Sequence, residues 1–300
     1  MERFPPGWHD EQVTSFPPMP AITDRNAPPV SEAERVDAGV RGSGGGARWS
    51  VVRAGLVWTL VRTDFKARYH GTLGGFVWAL LKPACMFVVL MSVFSLVFAA
   101  TPTYKLDLIV GLFLWDFFAE GTKTGLMSLH AKGFLLTKAR FPSWIIVVTS
   151  ISNALITLAV FCGVIAVFLV LSNHAPSPAA FALFLGYCGA LVMVVVGFSL
   201  AASVLFLRYR DLNQVWEVVI QAGFFVAPII YPLGIIPERF HRFLYLWPPT
   251  PIIAFSRAAL VTGVLPTPTG HLYLAIGSAI CLLAGIGVYR ALGRRAVEYL

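Results

Sequence analysis

The sequence predicts an all-α integral membrane protein with about six transmembrane helices, and three observations carry that prediction. Of 300 residues, 57% are hydrophobic and only 13% are charged, about half the charged share of a soluble domain. Mean hydropathy is +0.74. Charge is also absent over long runs: Phe141 to Leu207 contains no Lys, Arg, Asp or Glu, and neither does Pro83 to Tyr104. A soluble core of this length cannot hide so much apolar surface. An ordinary cytosolic enzyme is excluded on that ground.

The elements follow in order. Residues 1–48 are rich in Pro, Gly and charge, with PPMP at 17–20 and GSGGG at 42–46. They bury too little to offset their ordering entropy, so a disordered cytosolic tail is expected, with no apolar signal segment. From 49 to 69, Val52, Leu56, Leu60 and Val61 recur at helical spacing, with Arg53, Arg62, Lys66 and Arg68 between them. That pattern predicts an amphipathic helix in the headgroup plane. A span needs ~20 apolar residues. Spans are predicted near 76–99, 106–128, two within 141–207 divided by SNHAPSP (172–178), one near 214–232 and one near 270–290. Residues 233–269 are too apolar for a free loop and too rich in proline for one straight helix, which predicts a re-entrant helical hairpin.

Orientation follows from the Lys and Arg flanks. With the N-terminus inside, the inner flanks collect thirteen basic residues. The outer flanks collect four, namely Lys105, Arg239, Arg242 and Arg257. Both termini, 130–140 and 208–213 are therefore expected in the cytosol. From residue 49 onward there are eighteen basic and eight acidic residues. That surplus reads as headgroup contact rather than nucleic-acid binding.

Chemical motifs are sparse. The sequence has no GxxxxGK[ST], no HExxH and no CxxC, so neither a nucleotide site nor a metal site is expected. Cys85, Cys162, Cys188 and Cys281 each sit in an apolar run and read as buried thiols. Asp116, Glu120 and Lys123 fall at i, i+4 and i+7, on one helix face. Charges at membrane depth must face protein or water, so they are candidates for a polar gate. The plainer reading is a Glu120–Lys123 pair, with Asp116 bonded across helices. Glu217 is expected to pair near Arg208 and Arg210, and Lys82 to snorkel. Phe87, Phe94 and Phe98 on the first span, and Phe224, Phe225 and Tyr231 on the fifth, offer flat faces to sugar C–H surfaces. The alternative for them is lipid-facing bulk and interfacial belts.

The motifs in LVRTDFKARYHGTLGGFVWALLKPACMF (60–87) resemble the opening signature of the ABC-2 type permeases that export polysaccharides; Arg68, Tyr69, Leu73, Gly74, Trp78 and Pro83 carry it. The block 111–142, with its Trp-x-Phe-Phe run and Phe141-Pro142 pair, is similar to the same family. So is 208–237, with its Tyr-Arg-Asp-Leu turn. WPPTPIIAFSRAAL (247–260) resembles the family's returning re-entrant segment, with Trp247-Pro248-Pro249 where Asn-Pro is usual.

This resemblance implies a transport subunit and not an enzyme, with residues 49–300 forming the transmembrane domain. It would be a homodimer in a bacterial cytoplasmic membrane, moving lipid-linked polysaccharide such as O-antigen, capsule or teichoic acid. A separate ABC ATPase would bind the ATP, and no other cofactor is implied. Lys132, Phe134, Leu135, Lys138 and Arg140 are the expected ATPase contact. The six aromatics are the expected polymer path. Two other classes are open: an ion-coupled secondary transporter using Asp116 and Glu120, and a membrane glycosyltransferase or acyltransferase. The second of these lacks a polar catalytic loop.

Overall fold

In the computed structural model, which describes residues 45–69, 75–98, 102–135 and 142–296, every long element is a helix and no strand occurs among these residues. The helices are α1 (Gly45–Tyr69), α2 (Val77–Val97), α3 (Tyr104–Lys132), α4 (Trp144–Leu171), α5 (Pro178–Arg208) and α6 (Leu212–Val226). A 3₁₀ turn (Leu233–Ile235) leads to α7 (Glu238–Leu244) and α8 (Pro249–Arg257), which runs into a π turn (Ala258–Thr262). The last helix is α9 (Pro268–Ala296). The account below concerns the unit from Ala54 onward.

The boundaries have local causes. Asp107 lies in the first turn of α3 and His130 and Lys132 in its last, each complementing the helix dipole. Between α4 and α5 the chain reverses through Asn173 at φ 56°, and Ser177 Oγ accepts from Ala180 N at 3.1 Å ahead of Pro178 at the first helical position. Helix α6 stops at Ala227, whose backbone is extended (ψ 137°) because it precedes Pro228. The π turn closes at Gly263 in the left-handed region, φ 66°.

Four helices are long and apolar enough to cross a membrane: α2, α4, α5 and α9. The expected second and fifth spans take a different form. Helix α3 has 29 residues but carries Asp107, Asp116, Glu120 and Lys123 along it. Helix α6 has 15 residues, roughly 22 Å at 1.5 Å per residue, which falls short of a hydrocarbon core of about 30 Å.

The core is built on α3, which packs on α4 and α5, while α9 packs on α5. Leu106, Leu108, Leu114, Ile151 and Phe184 are fully buried there. Small residues let the helices approach. A Cβ on Gly121 would lie 2.8 Å from Val195 Cγ1, and one on Gly197 would lie 2.7 Å from the Leu282 Cα of α9. Such stripes take the place of a hydrophobic driving force between helices in lipid. The cysteines divide: Cys162 and Cys188 are buried with sulfurs 3.9 Å apart, Cys281 is half-buried, and Cys85 is exposed. Cys85 thus departs from the buried thiol expected, because it lies on the open face of α2.

Candidate functional site: a charge-paired cleft along α3

Asp116, Glu120, Lys123 and Lys132 occupy one length of α3, and each reaches a different neighbour. Lys82 of α2 lies 3.8 Å from Asp116, Arg68 of α1 bonds Glu120, Lys123 bonds Glu217 of α6 at 2.8 Å, and Lys132 bonds Asp64 of α1. Lys132 also donates to Ser150 Oγ at 2.9 Å. The Glu120–Lys123 pair expected from spacing is thereby replaced. Each of the two charges instead meets an opposite charge on an adjoining helix. Glu217 likewise pairs with Lys123 and not with Arg208 or Arg210. Burial works against the Arg68 charge, but the Glu120 carboxylate outweighs it and holds the guanidinium above its ordinary value.

Two cavities open beside these pairs. One, of about 470 Å³, is lined by Arg68, Trp78, Lys82, Asp116, Glu120 and Asn153. The other, of about 630 Å³, shares Arg68, Glu120 and Asn153 with it and extends to Asp64 and Lys132. Asn153 is 6% exposed, and its Oδ1 has no hydrogen-bond partner among the described residues. A buried acceptor left unpaired is costly, so this amide is an acceptor presented to whatever enters. Spacing identified Asp116 and Glu120. Asn153 was not singled out, because a lone Asn in an apolar run carries no pattern of its own. Among the described residues no group of three His, Cys, Asp or Glu could hold a metal.

The Arg68–Glu120 pair is partly solvated, with Arg68 40% and Glu120 31% exposed, so it contributes ~1 kcal/mol or less. Glu120→Arg is expected to lower the melting temperature in detergent by a few degrees by setting two cations together. The reciprocal double variant, Arg68→Glu with Glu120→Arg, is expected to recover most of the loss. A double variant as unstable as the sum of the two single ones would reject the pairing.

The six aromatics named from the sequence differ in their surroundings. Phe225 is 67% exposed. Phe87 packs on Phe168, Phe94 stacks on Phe98, and Phe98 meets Tyr104. Phe224 meets Trp115. Tyr231 spends its hydroxyl on the end of α6, donating to the Phe225 and Val226 carbonyls at 3.0 and 3.1 Å. A tryptophan cluster not anticipated from sequence binds α6 to α3 and to the turn between α7 and α8. The Trp247 ring lies tilted against both Trp115 and Trp216, with Trp216 also stacked on Phe198 at 4.0 Å and donating to Thr122 Oγ1 at 3.1 Å. Of the expected coupling residues, Phe134 is 56% exposed, Leu135 packs on the core, and Lys132 is held by Asp64. Lys138 and Arg140 lie outside the described residues.

At the other end of α3 sits Arg257. Sequence counting treats it as a headgroup cation, yet it is only 8% exposed. Its Nε donates to the Asp107 carbonyl at 2.7 Å, Nη2 to the Ile229 carbonyl at 2.8 Å and Nη1 to the Pro228 carbonyl. Pro228 interrupts the helical ladder after α6, so the Pro228 and Ile229 carbonyls lack the N–H partners a continuing helix would supply, while the Asp107 carbonyl belongs to the first turn of α3. The planar guanidinium fork meets all three at once. Gly111 makes the space, since a Cβ there would overlap the guanidinium.

Residues 55–261, the stretch that contains the cleft and Arg257, match the ABC-2 type transporter family. The chain belongs to that family. It is similar to O-antigen export system permease protein RfbA of Klebsiella pneumoniae, 27% identical over 256 residues that cover 82% of this chain and 95% of the relative. It is also similar to the RfbA of Myxococcus xanthus, 27% identical over 79% of this chain and 92% of that protein. Polysialic acid transport protein KpsM of Escherichia coli is 21% identical over 76% of this chain and 89% of that one. The ABC-2 permease is thus an integral membrane transport protein.

Proposed function

We propose that the chain is the permease subunit of an ATP-driven exporter of lipid-linked polysaccharide in a bacterial cytoplasmic membrane. The observation that carries this reading is the reach of the similarity: it runs across 95% of an O-antigen export permease. In this reading two copies form the channel, six segments cross, α1 lies at the inner interface and both termini face the cytosol. The segment around Phe134 and Leu135, with Lys138 and Arg140, docks the ATPase, and Lys132 supports it from within. The aromatics Phe87, Phe94, Phe98, Phe224, Phe225 and Tyr231 border the polymer path. Asp116, Glu120 and Lys123 adjust its polar inner mouth.

The test is made in cells of the native host. Depleting the permease is expected to remove surface polymer and to leave lipid-linked polymer inside. The tagged permease is expected to bring down an ABC ATPase, and Phe134→Asp with Leu135→Asp to lose it. Phe225→Leu is expected to lower export several-fold at matched protein level, because leucine matches the bulk but lacks the ring face. Export that continues after ATP depletion and stops when the ion gradient is collapsed would overturn this reading in favour of ion-coupled transport.

A further inference from the structure

We propose that this permease carries a phospholipid site, formed where the α7–α8 hairpin leans on α9. One acyl chain lies in the groove and the lipid phosphate meets Arg242.

The groove has a volume of about 700 Å³ and is lined by Tyr245, Leu246, Phe255, Tyr273, Gly277 and Ile280 among others. On α9 its lining runs from the Thr267 end to Cys281, roughly 21 Å at 1.5 Å per residue. One leaflet of hydrocarbon is about 15 Å deep, so the groove spans a leaflet from its surface to its middle. Its outer wall is open along a helix apolar enough to cross the membrane. Leu272, Tyr273, Ile276 and Ile280 of that helix are 46–76% exposed. At membrane depth such a channel cannot hold water cheaply, and a hydrocarbon chain fits both its chemistry and its length.

One end of the groove carries two threonines. Thr267 and Thr269 line the groove there, and their hydroxyls bond each other at 3.1 Å. Helix α7 carries the charge. Its turn continues through Tyr245 and Leu246, whose amides bond the His241 and Phe243 carbonyls. Arg242 therefore lies one helical turn from both of these lining residues, at i, i+3 and i+4, and its side chain is exposed. Phe243 and Leu246 on the same turn are 70% and 78% exposed, which is the apolar footing of a helix lying in a headgroup layer. Glu238 begins α7 and Arg239 lies over the Phe240 ring at 4.8 Å, and Arg242 is the α7 cation one turn from the lining residues Tyr245 and Leu246. A phosphate attached to a chain long enough to fill the channel satisfies both parts at once. Neither a free anion nor a soluble apolar molecule does.

The probe is phosphatidylglycerol with a diazirine near the end of one acyl chain, mixed at low fraction into phosphatidylcholine nanodiscs holding the purified permease. Light is expected to attach the label chiefly to residues 268–281, above the labelling of the exposed α2 face around Val88 and Val93. Gly277→Phe is expected to cut labelling of 268–281 by about tenfold while leaving α2 unchanged, since a side chain at Gly277 meets nothing within 4 Å and simply fills the groove. Arg242→Gln is expected to cut it about fivefold for phosphatidylglycerol and much less for the same label on phosphatidylcholine. Equal labelling of both faces, unaffected by Gly277→Phe, would mean ordinary surrounding lipid and would overturn the site. So would an unlabelled groove together with a disulfide between two copies carrying Tyr273→Cys, which would show that a second permease covers it.

Discussion

Arg257→Leu is expected to abolish accumulation of folded permease, the largest effect of any single substitution considered. It leaves the Pro228 and Ile229 carbonyls without their donor in a buried site and removes the tie to the Asp107 carbonyl of α3. A buried acceptor left unpaired costs ~1–3 kcal/mol, so the Pro228 and Ile229 carbonyls together weigh heavily against a total stability of ~5–15 kcal/mol. In detergent, fluorescence-detected size exclusion after heating is expected to show a fall of roughly 10 °C or more. Arg257→Lys keeps the charge but not the fork, since one ammonium cannot meet carbonyls from two segments along fixed in-plane directions. It is expected to fall between the two. Gly111→Ala supplies an independent check, because its methyl group would push the guanidinium away. Gly111→Ala and Arg257→Lys together are expected to be less harmful than the sum of their separate effects, since both act on one contact. Strict additivity, or normal yield of Arg257→Leu, would show that the guanidinium does not hold these segments.

Gly197→Leu and Gly285→Leu are expected to be nearly as severe. Helix α5 meets α9 with almost no side chain between them. A Cβ on Gly285 would stand 2.7 Å from the Gly197 Cα, and one on Gly197 the same distance from the Leu282 Cα. The atoms in the way are backbone, which cannot rotate aside. Overpacking costs ~1–3 kcal/mol where side chains can adjust, and more is expected where whole helices must separate. Gly→Ala at either position is expected to lower the melting temperature, and Gly→Leu to eliminate monodisperse protein. The control is Gly186→Leu on the same α5, where nothing lies within 4 Å; it is expected to be neutral. Similar losses at all three positions would indicate a general intolerance of bulk in α5 and α9 and reject the close crossing.

The helical class was legible in the sequence because hydropathy and charge-free length are local properties. Four spanning helices and the breaks at Ser172–Ser177 and Pro228 are read from neighbouring residues alone. The face shared by Asp116 and Glu120 is likewise a matter of 3.6-residue periodicity. Their partners were not legible. Arg68 is 52 positions from Glu120, and Glu217 is 94 from Lys123. Sequence distance says nothing about which of several equivalent cations a carboxylate will meet. The same holds for the aromatics. Phe225 and Phe98 are alike as letters, yet one is open and the other lies against Tyr104 and Phe94.

By itself, then, the sequence determined that this chain is a helical membrane protein, where its long apolar helices lie, and through its ordered motifs that it resembles the ABC-2 permeases. These conclusions rest on composition, on short-range spacing and on stretches of chain read one at a time. Only the tertiary structure decided that Arg257 is a buried donor and not a headgroup cation, that Lys132 faces inward to Asp64, and that Tyr231 caps the end of α6. The physical reason is the same in each case. A polar side chain in an apolar setting takes whatever partner the packing of distant helices brings within 3 Å, and that packing depends on close approaches such as Gly197 on Gly285, which no single segment contains.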